Sequence, residues 1–82
     1  MSRREKLLAR IRNNPRSVTY DELAGVLEWH GFECRKGKGS HRIFKRGGTK
    51  IVIVWRKPHV HSNAVKEALA VIDSLSEPGE IA

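Results

Sequence analysis

Apolar positions change their spacing twice along the chain, and the changes divide it into helical and extended segments. From Ser2 to about Asn14, Leu7, Leu8 and Ile11 fall on one helical stripe, with Arg3, Arg4, Lys6, Arg10 and Arg12 around the rest. This predicts a short amphipathic helix, ended by Asn13-Asn14-Pro15 because proline disfavours helix at the residue before it. A second helix is predicted over 20–30. Thr19 and Glu22 have capping-box spacing, Val18 and Leu23 are placed for a hydrophobic staple, and Leu23, Val26, Leu27 and His30 share a face. Gly31 can take the left-handed conformation that ends such a helix, with Phe32 folding back toward Leu27. His30 reads as a packed or capping histidine.

From Phe32 the period becomes two. Phe32 to Arg35, Ser40 to Lys45 and Lys50 to Trp55 read as three strands, joined by the Lys36 to Gly39 loop and the Gly47-Gly48 turn. They predict an antiparallel meander. The third strand is apolar on both faces, which predicts a place in the middle of its layer or under further cover. Cys34 reads as a partly buried strand residue. After Pro58, Ser62 or Asn63 can cap a last helix whose stripe is Val65, Leu69, Ile72 and Leu75, with Ala68 beside it. Residues 76–82 are expected to form a frayed tail.

The order helix, helix, three strands, helix predicts one α+β domain over 1–82: a three-stranded antiparallel sheet with helices on one face and the other face left for function. At 82 residues the chain buries only about 60–65 % of its unfolded surface, too little for a large enclosed active site.

Charge narrows the function. The formal net charge is +7, and nine of the sixteen Lys and Arg residues lie between Arg35 and Lys57 with no Asp or Glu among them. Such a field suits nucleic acid. A membrane surface fits less well, since the longest apolar run, Ile51 to Trp55, has the length of a strand. The first residues are charged and no apolar signal core follows them, so a cytoplasmic location is expected. Cys34 is the single cysteine, which excludes an internal disulfide and a cysteine-cluster metal site.

His41 is the sharpest candidate for chemistry. Its imidazole can exchange a proton near neutral pH, as RNA cleavage by the 2′-hydroxyl requires, while neighbouring cations stabilise charge building on the phosphate. The loop Lys36-Gly37-Lys38-Gly39-Ser40 adds glycine amides and a hydroxyl that can approach a phosphate. The alternative is a surface histidine that only contacts ligand or stabilises the turn. Strand parity puts His41, Ile43 and Lys45 on one face and Arg42, Phe44 and Arg46 on the other, without saying which is buried. His59 and His61 have metal-ligand spacing but no acidic or cysteine neighbours, so a solvated connection is the default. Trp29 and Trp55 read as base-stacking surfaces or as core, Trp29 being the more exposed.

The run Tyr20-Asp21-Glu22-Leu23 to Gly31-Phe32, then Lys38-Gly39-Ser40-His41-Arg42-Ile43-Phe44, then a strand, a proline-histidine step and Val65-Lys66-Glu67-Ala68-Leu69 resembles the HicA family of toxins from toxin–antitoxin pairs. The likeness covers about 19–75, and its specific core is Gly39-Ser40-His41 after a Gly-Phe helix exit. It implies a fold like the double-stranded-RNA-binding domain, metal-independent ribonuclease activity on mRNA that inhibits translation, and a HicB-type antitoxin covering the active site. No cofactor, membrane or independent DNA contact is implied. The family's catalytic histidine maps onto His41. Lys36, Lys38, Gly39, Ser40, Arg42 and Arg46 are the expected RNA contacts. The helix over 2–14 lies outside the minimal family pattern and resembles an extension of longer members. The rival is a non-catalytic RNA-binding module. It would want a lysine cluster at the start of the last helix, where only Lys66 follows Ser62, Asn63 and Ala64.

Overall fold

The computed structural model describes residues 3–75; the tail expected over 76–82 lies outside them. The elements are α1 (Arg3–Asn13), a 3-10 turn (Pro15–Ser17), α2 (Tyr20–Trp29), β1 (Glu33–Lys36), β2 (His41–Arg46), β3 (Thr49–Val54) and α3 (Ser62–Leu75). This is the predicted α+β order, and α2 through α3 has the succession of a double-stranded-RNA-binding-like fold.

Local chemistry fixes the boundaries of α2. The Thr19 hydroxyl accepts from the Glu22 amide at 3.2 Å and the Glu22 carboxylate accepts from the Thr19 amide at 3.0 Å, completing the capping box. At the other end the Phe32 amide bonds the Leu27 carbonyl and the Gly31 amide bonds the Glu28 carbonyl, with Gly31 at φ 87°, a Schellman ending. The His30 ring Nδ1–H donates to the Val26 carbonyl at 2.8 Å, so His30 is a capping residue.

The sheet order is β1-β2-β3, all antiparallel. β2 is therefore central and β3 is an edge with one face open, against the expectation that β3 sits in the middle of its layer or under further cover. Its two apolar sides have different causes. Ile51 and Ile53 point into the core, while Val52 and Val54 stand 38 % and 47 % exposed on the open face. The pairings Phe44↔Ile51 and Ile43↔Val52 settle the parity of β2: Arg42, Phe44 and Arg46 lie on the helix side, and His41, Ile43 and Lys45 on the open side. Cys34 is exposed rather than partly buried. It sits opposite Phe44 on the helix side, but β1 is an edge strand whose four residues are all exposed, and the Cys34 thiol lies 3.6 Å from the Tyr20 hydroxyl.

One core joins every helix to the sheet. Ile11, Val18, Leu23, Val26, Leu27, Phe44, Val65 and Ala68 are wholly buried, each large apolar side chain contributing about 1.5–3 kcal/mol of transfer free energy. Ile11 brings α1 into this core. Arg10 pairs with Glu22, and the Arg12 guanidinium forms a two-pronged pair with Asp73 at 2.5 and 3.1 Å, so α1 is tied to both other helices. The bond from Arg12 holds the Asp73 carboxyl below its ordinary range. α3 starts otherwise than expected: His61, not Ser62 or Asn63, is the cap, its ring Nδ1 accepting the Asn63 amide at 3.0 Å and its carbonyl accepting from Ala64.

Candidate nucleic-acid interface

The hairpin between β1 and β2 sets the site. The His41 amide donates to the Lys38 carbonyl across Gly39-Ser40, and Gly39 has φ 62° while Ser40 does not have positive φ, the pattern of a type II′ turn. The Gly37 amide donates to the His41 carbonyl at 2.8 Å. That bond removes Gly37 from the amides available to an anion. Gly39 and Ser40, at the tip, give their amides to no acceptor among the described residues. Gly37 also packs close: a β-carbon there would lie 3.2 Å from both the Cβ and the carbonyl oxygen of His41.

His41 is exposed on the open face, beside Val54 in register. Its Nδ1 lies 2.9 Å from the Lys38 carbonyl. A carbonyl can only accept, so Nδ1 carries the proton and the neutral ring presents the Nε2 lone pair to solvent. This orientation could not be read from the sequence, because it depends on how the turn aims a backbone carbonyl.

The remaining candidates are distributed unevenly. Lys38, Gly39 and Ser40 form the turn next to His41. Lys36 ends β1, opposite Arg42 on the helix side. Arg42 is partly buried, and its Nη1 donates to the carbonyls of Gly39 at 3.1 Å and His41 at 3.2 Å, so it braces the turn from beneath. Arg46 is not brought to this group. It ends β2, about 17 Å from His41 at the usual rise, where it lines a depression with Gly31, Glu33 and Lys45. Glu33, the one acid in the strands, is at that same far end, opposite Lys45. The His41 end of the open face is therefore basic and apolar, with Ile43, Val52 and Val54 beside the imidazole.

Tyr20 lies beneath the turn, its ring tilted against Phe44 with centroids 6.4 Å apart. Burial, then the hydrogen bond to Cys34, pushes its hydroxyl up to about 12, and Arg42 pulls weakly the other way. Trp29 is 37 % exposed under the Arg4 guanidinium, away from the sheet; Trp55 is partly buried with the Lys57 ammonium over its ring. Of the two, Trp55 adjoins His41's turn, since its amide donates to the Ser40 carbonyl at 2.8 Å.

Sequence reading also passed over a second basic group. Arg16, Arg56, His59 and His61 line one open cavity of about 340 Å³ past the end of β3. Arg16 is remote from the others in sequence, and only the fold joins them. Among the described residues no three His, Cys, Asp or Glu side chains are grouped to hold a metal ion, and no helix is long and apolar enough to cross a membrane.

The family model described as HicA toxin of bacterial toxin-antitoxin matches residues 20–72, more than half of the chain. No curated protein and no solved structure matches. The matched span runs from the start of α2 into α3 and holds the whole hairpin, His41 included; α1 and Val18 lie before it, although Ile11 and Val18 are core residues.

Proposed function

The chain belongs to the HicA family of toxins, whose members work within toxin–antitoxin pairs, and from that premise we propose that it is a metal-independent ribonuclease that cleaves mRNA and inhibits translation, with His41 as the general base. The observation that carries this reading is the Nδ1–H bond from His41 to the Lys38 carbonyl, which leaves Nε2 free to accept a proton. In this mechanism Nε2 takes the proton of a ribose 2′-hydroxyl. The 2′-oxygen attacks the adjacent phosphorus, and the bond from phosphorus to the 5′-oxygen breaks. The products are a 2′,3′-cyclic phosphate and a 5′-hydroxyl, whose oxygen takes its proton from water. Lys38 and the free amides of Gly39 and Ser40 bind the phosphate as its charge rises, with Lys36 contributing from the end of β1. Arg42 holds the turn in shape, and its remaining N–H groups extend the positive field.

The family implies an antitoxin, and the proposal assigns a HicB-type protein to the open face. Val52 and Val54 offer an apolar contact beside His41, and the basic rim suits an acidic partner surface. A protein seated there covers the imidazole. On this reading the protein acts in the cytoplasm, where mRNA is.

Induction of wild type and His41→Ala in cells at equal soluble levels tests the proposal. Growth arrest with mRNA cleavage in the wild type and neither in the variant is the expected result. Equal arrest by both removes His41 from the mechanism. Binding without cleavage by either leaves the chain an RNA-binding module.

A further inference from the structure

The cavity past β3 has an apolar part, Pro58 and Val60, and a polar part made of Arg16, Arg56, His59, His61 and Ser62. Arg16 comes from the 3-10 turn, and Arg56, His59 and His61 from the connection between β3 and α3; no Asp or Glu lines it. The His61 Nδ1 is occupied by the Asn63 amide, so the neutral ring carries its proton on Nε2 and is a donor there. The two segments that bear these side chains are tied together, because the Val60 amide donates to the Val18 carbonyl at 2.9 Å and both valines are buried.

The fold pairs the other arginines of this region: Arg10 with Glu22 and Arg12 with Asp73. Arg16 and Arg56 have no acidic partner among the described residues. Two exposed guanidiniums that line one cavity without a counter-charge suit an anion there. A second depression of about 430 Å³ shares Arg56 and Pro58 with the cavity and is lined further by Thr19, Tyr20, Trp55, Lys57 and one acid, Asp21; the Trp55 amide donates to the Ser40 carbonyl of the turn.

We propose that Arg16, Arg56, His59 and His61 form a phosphate-binding subsite that holds a neighbouring phosphodiester of the RNA strand cleaved at His41. The assignment to RNA rests on the ribonuclease reading; phosphate binding in the cavity does not.

Two measurements test it with Arg16→Gln/Arg56→Gln, a pair of exposed positions whose folding is checked by thermal melting. First, inorganic phosphate is titrated into the full chain while the four imidazole C–H resonances are followed by NMR. Saturable shifts of His59 and His61, absent from the double variant, are expected; equal shifts at all four histidines, or shifts that survive in the variant, overturn the subsite. Second, single-stranded RNA binding is measured against salt in the uncleaving His41→Ala background with and without the two substitutions. Two lost phosphate contacts at about 0.7 each flatten the log–log slope by about 1.4, hence weaken binding about 25-fold at 0.1 M relative to the 1 M limit. An unchanged slope overturns the assignment to RNA. If the wild type fails to cleave RNA while both results hold, the ribonuclease reading falls and the subsite stands.

Discussion

Gly37→Ala probes the catalytic geometry without touching the imidazole. The added methyl carbon would lie 3.2 Å from the Cβ and from the carbonyl oxygen of His41, so that backbone must give by a few tenths of an ångström. Neither atom is the far end of a flexible side chain. Gly37 does not have positive φ, so alanine meets no backbone strain. The crowding costs about 1–3 kcal/mol. A less flexible unfolded chain returns about 0.4–1 kcal/mol, for a net loss of about 0–2.5 kcal/mol. Activity is expected to suffer more. A misplacement of about 1 Å costs about 100-fold, so a shift of about 0.5 Å lowers kcat about tenfold. Gly25→Ala is the control: a Cβ there meets nothing within 4 Å, and replacing a helical glycine stabilises by about 0.5–1 kcal/mol with kcat unchanged. The assay is steady-state cleavage of a fluorescent oligoribonucleotide beside thermal melts. A Gly37→Ala protein with kcat within about twofold of wild type would refute the claim that this contact positions His41.

Ile11→Ala removes a wholly buried side chain of α1 and is expected to cost about 2–5 kcal/mol in urea denaturation, lowering Tm by about 10 °C or more; a loss below about 1 kcal/mol would make α1 an appendage. Glu22→Ala breaks both the capping box and the pair with Arg10, and a fall of about 1–2 kcal/mol is expected, seen as a lower urea midpoint at unchanged slope. Tyr20 is the single tyrosine, so phenolate absorbance reports it alone: its midpoint is expected near 12 rather than 10, and Cys34→Ala should lower it. Because the folded value is raised, this contribution to stability is complete below pH about 10 and is lost as pH rises toward 12. A midpoint near 10 in the folded protein would contradict the burial of the hydroxyl.

What the sequence made legible was local. The capping box at Thr19 and Glu22, the Gly31-Phe32 helix ending and the change of period at Phe32 are decided by residues within a few positions of each other. The errors came from distance. Whether β3 is central depends on which strand lies beside which, and outward valines on an edge look the same in sequence as valines under cover. Cys34 alternates correctly with its charged neighbours, yet α2, which meets it through the Tyr20 hydroxyl, leaves it exposed. His41 and Arg42 could not be assigned to faces because Ile43 and Phe44 are both apolar, and only packing in the core, with Tyr20 of α2 against its ring, chooses Phe44. The pairing of Arg16 with Arg56 was illegible for the same reason, since the Val18–Val60 bond that brings their segments together leaves no mark on either segment.

The central claim is that the His41 Nε2 removes the 2′-proton. The direct test incubates purified wild type and His41→Ala with a single-stranded oligoribonucleotide in the presence of a metal chelator, and identifies the new ends by mass. The account predicts 2′,3′-cyclic phosphate and 5′-hydroxyl ends from the wild type, none from a His41→Ala protein of unchanged melting temperature, and no cleavage at a position whose 2′-hydroxyl is replaced by hydrogen. Cleavage at the deoxy position, or by His41→Ala at the wild-type rate, would contradict it.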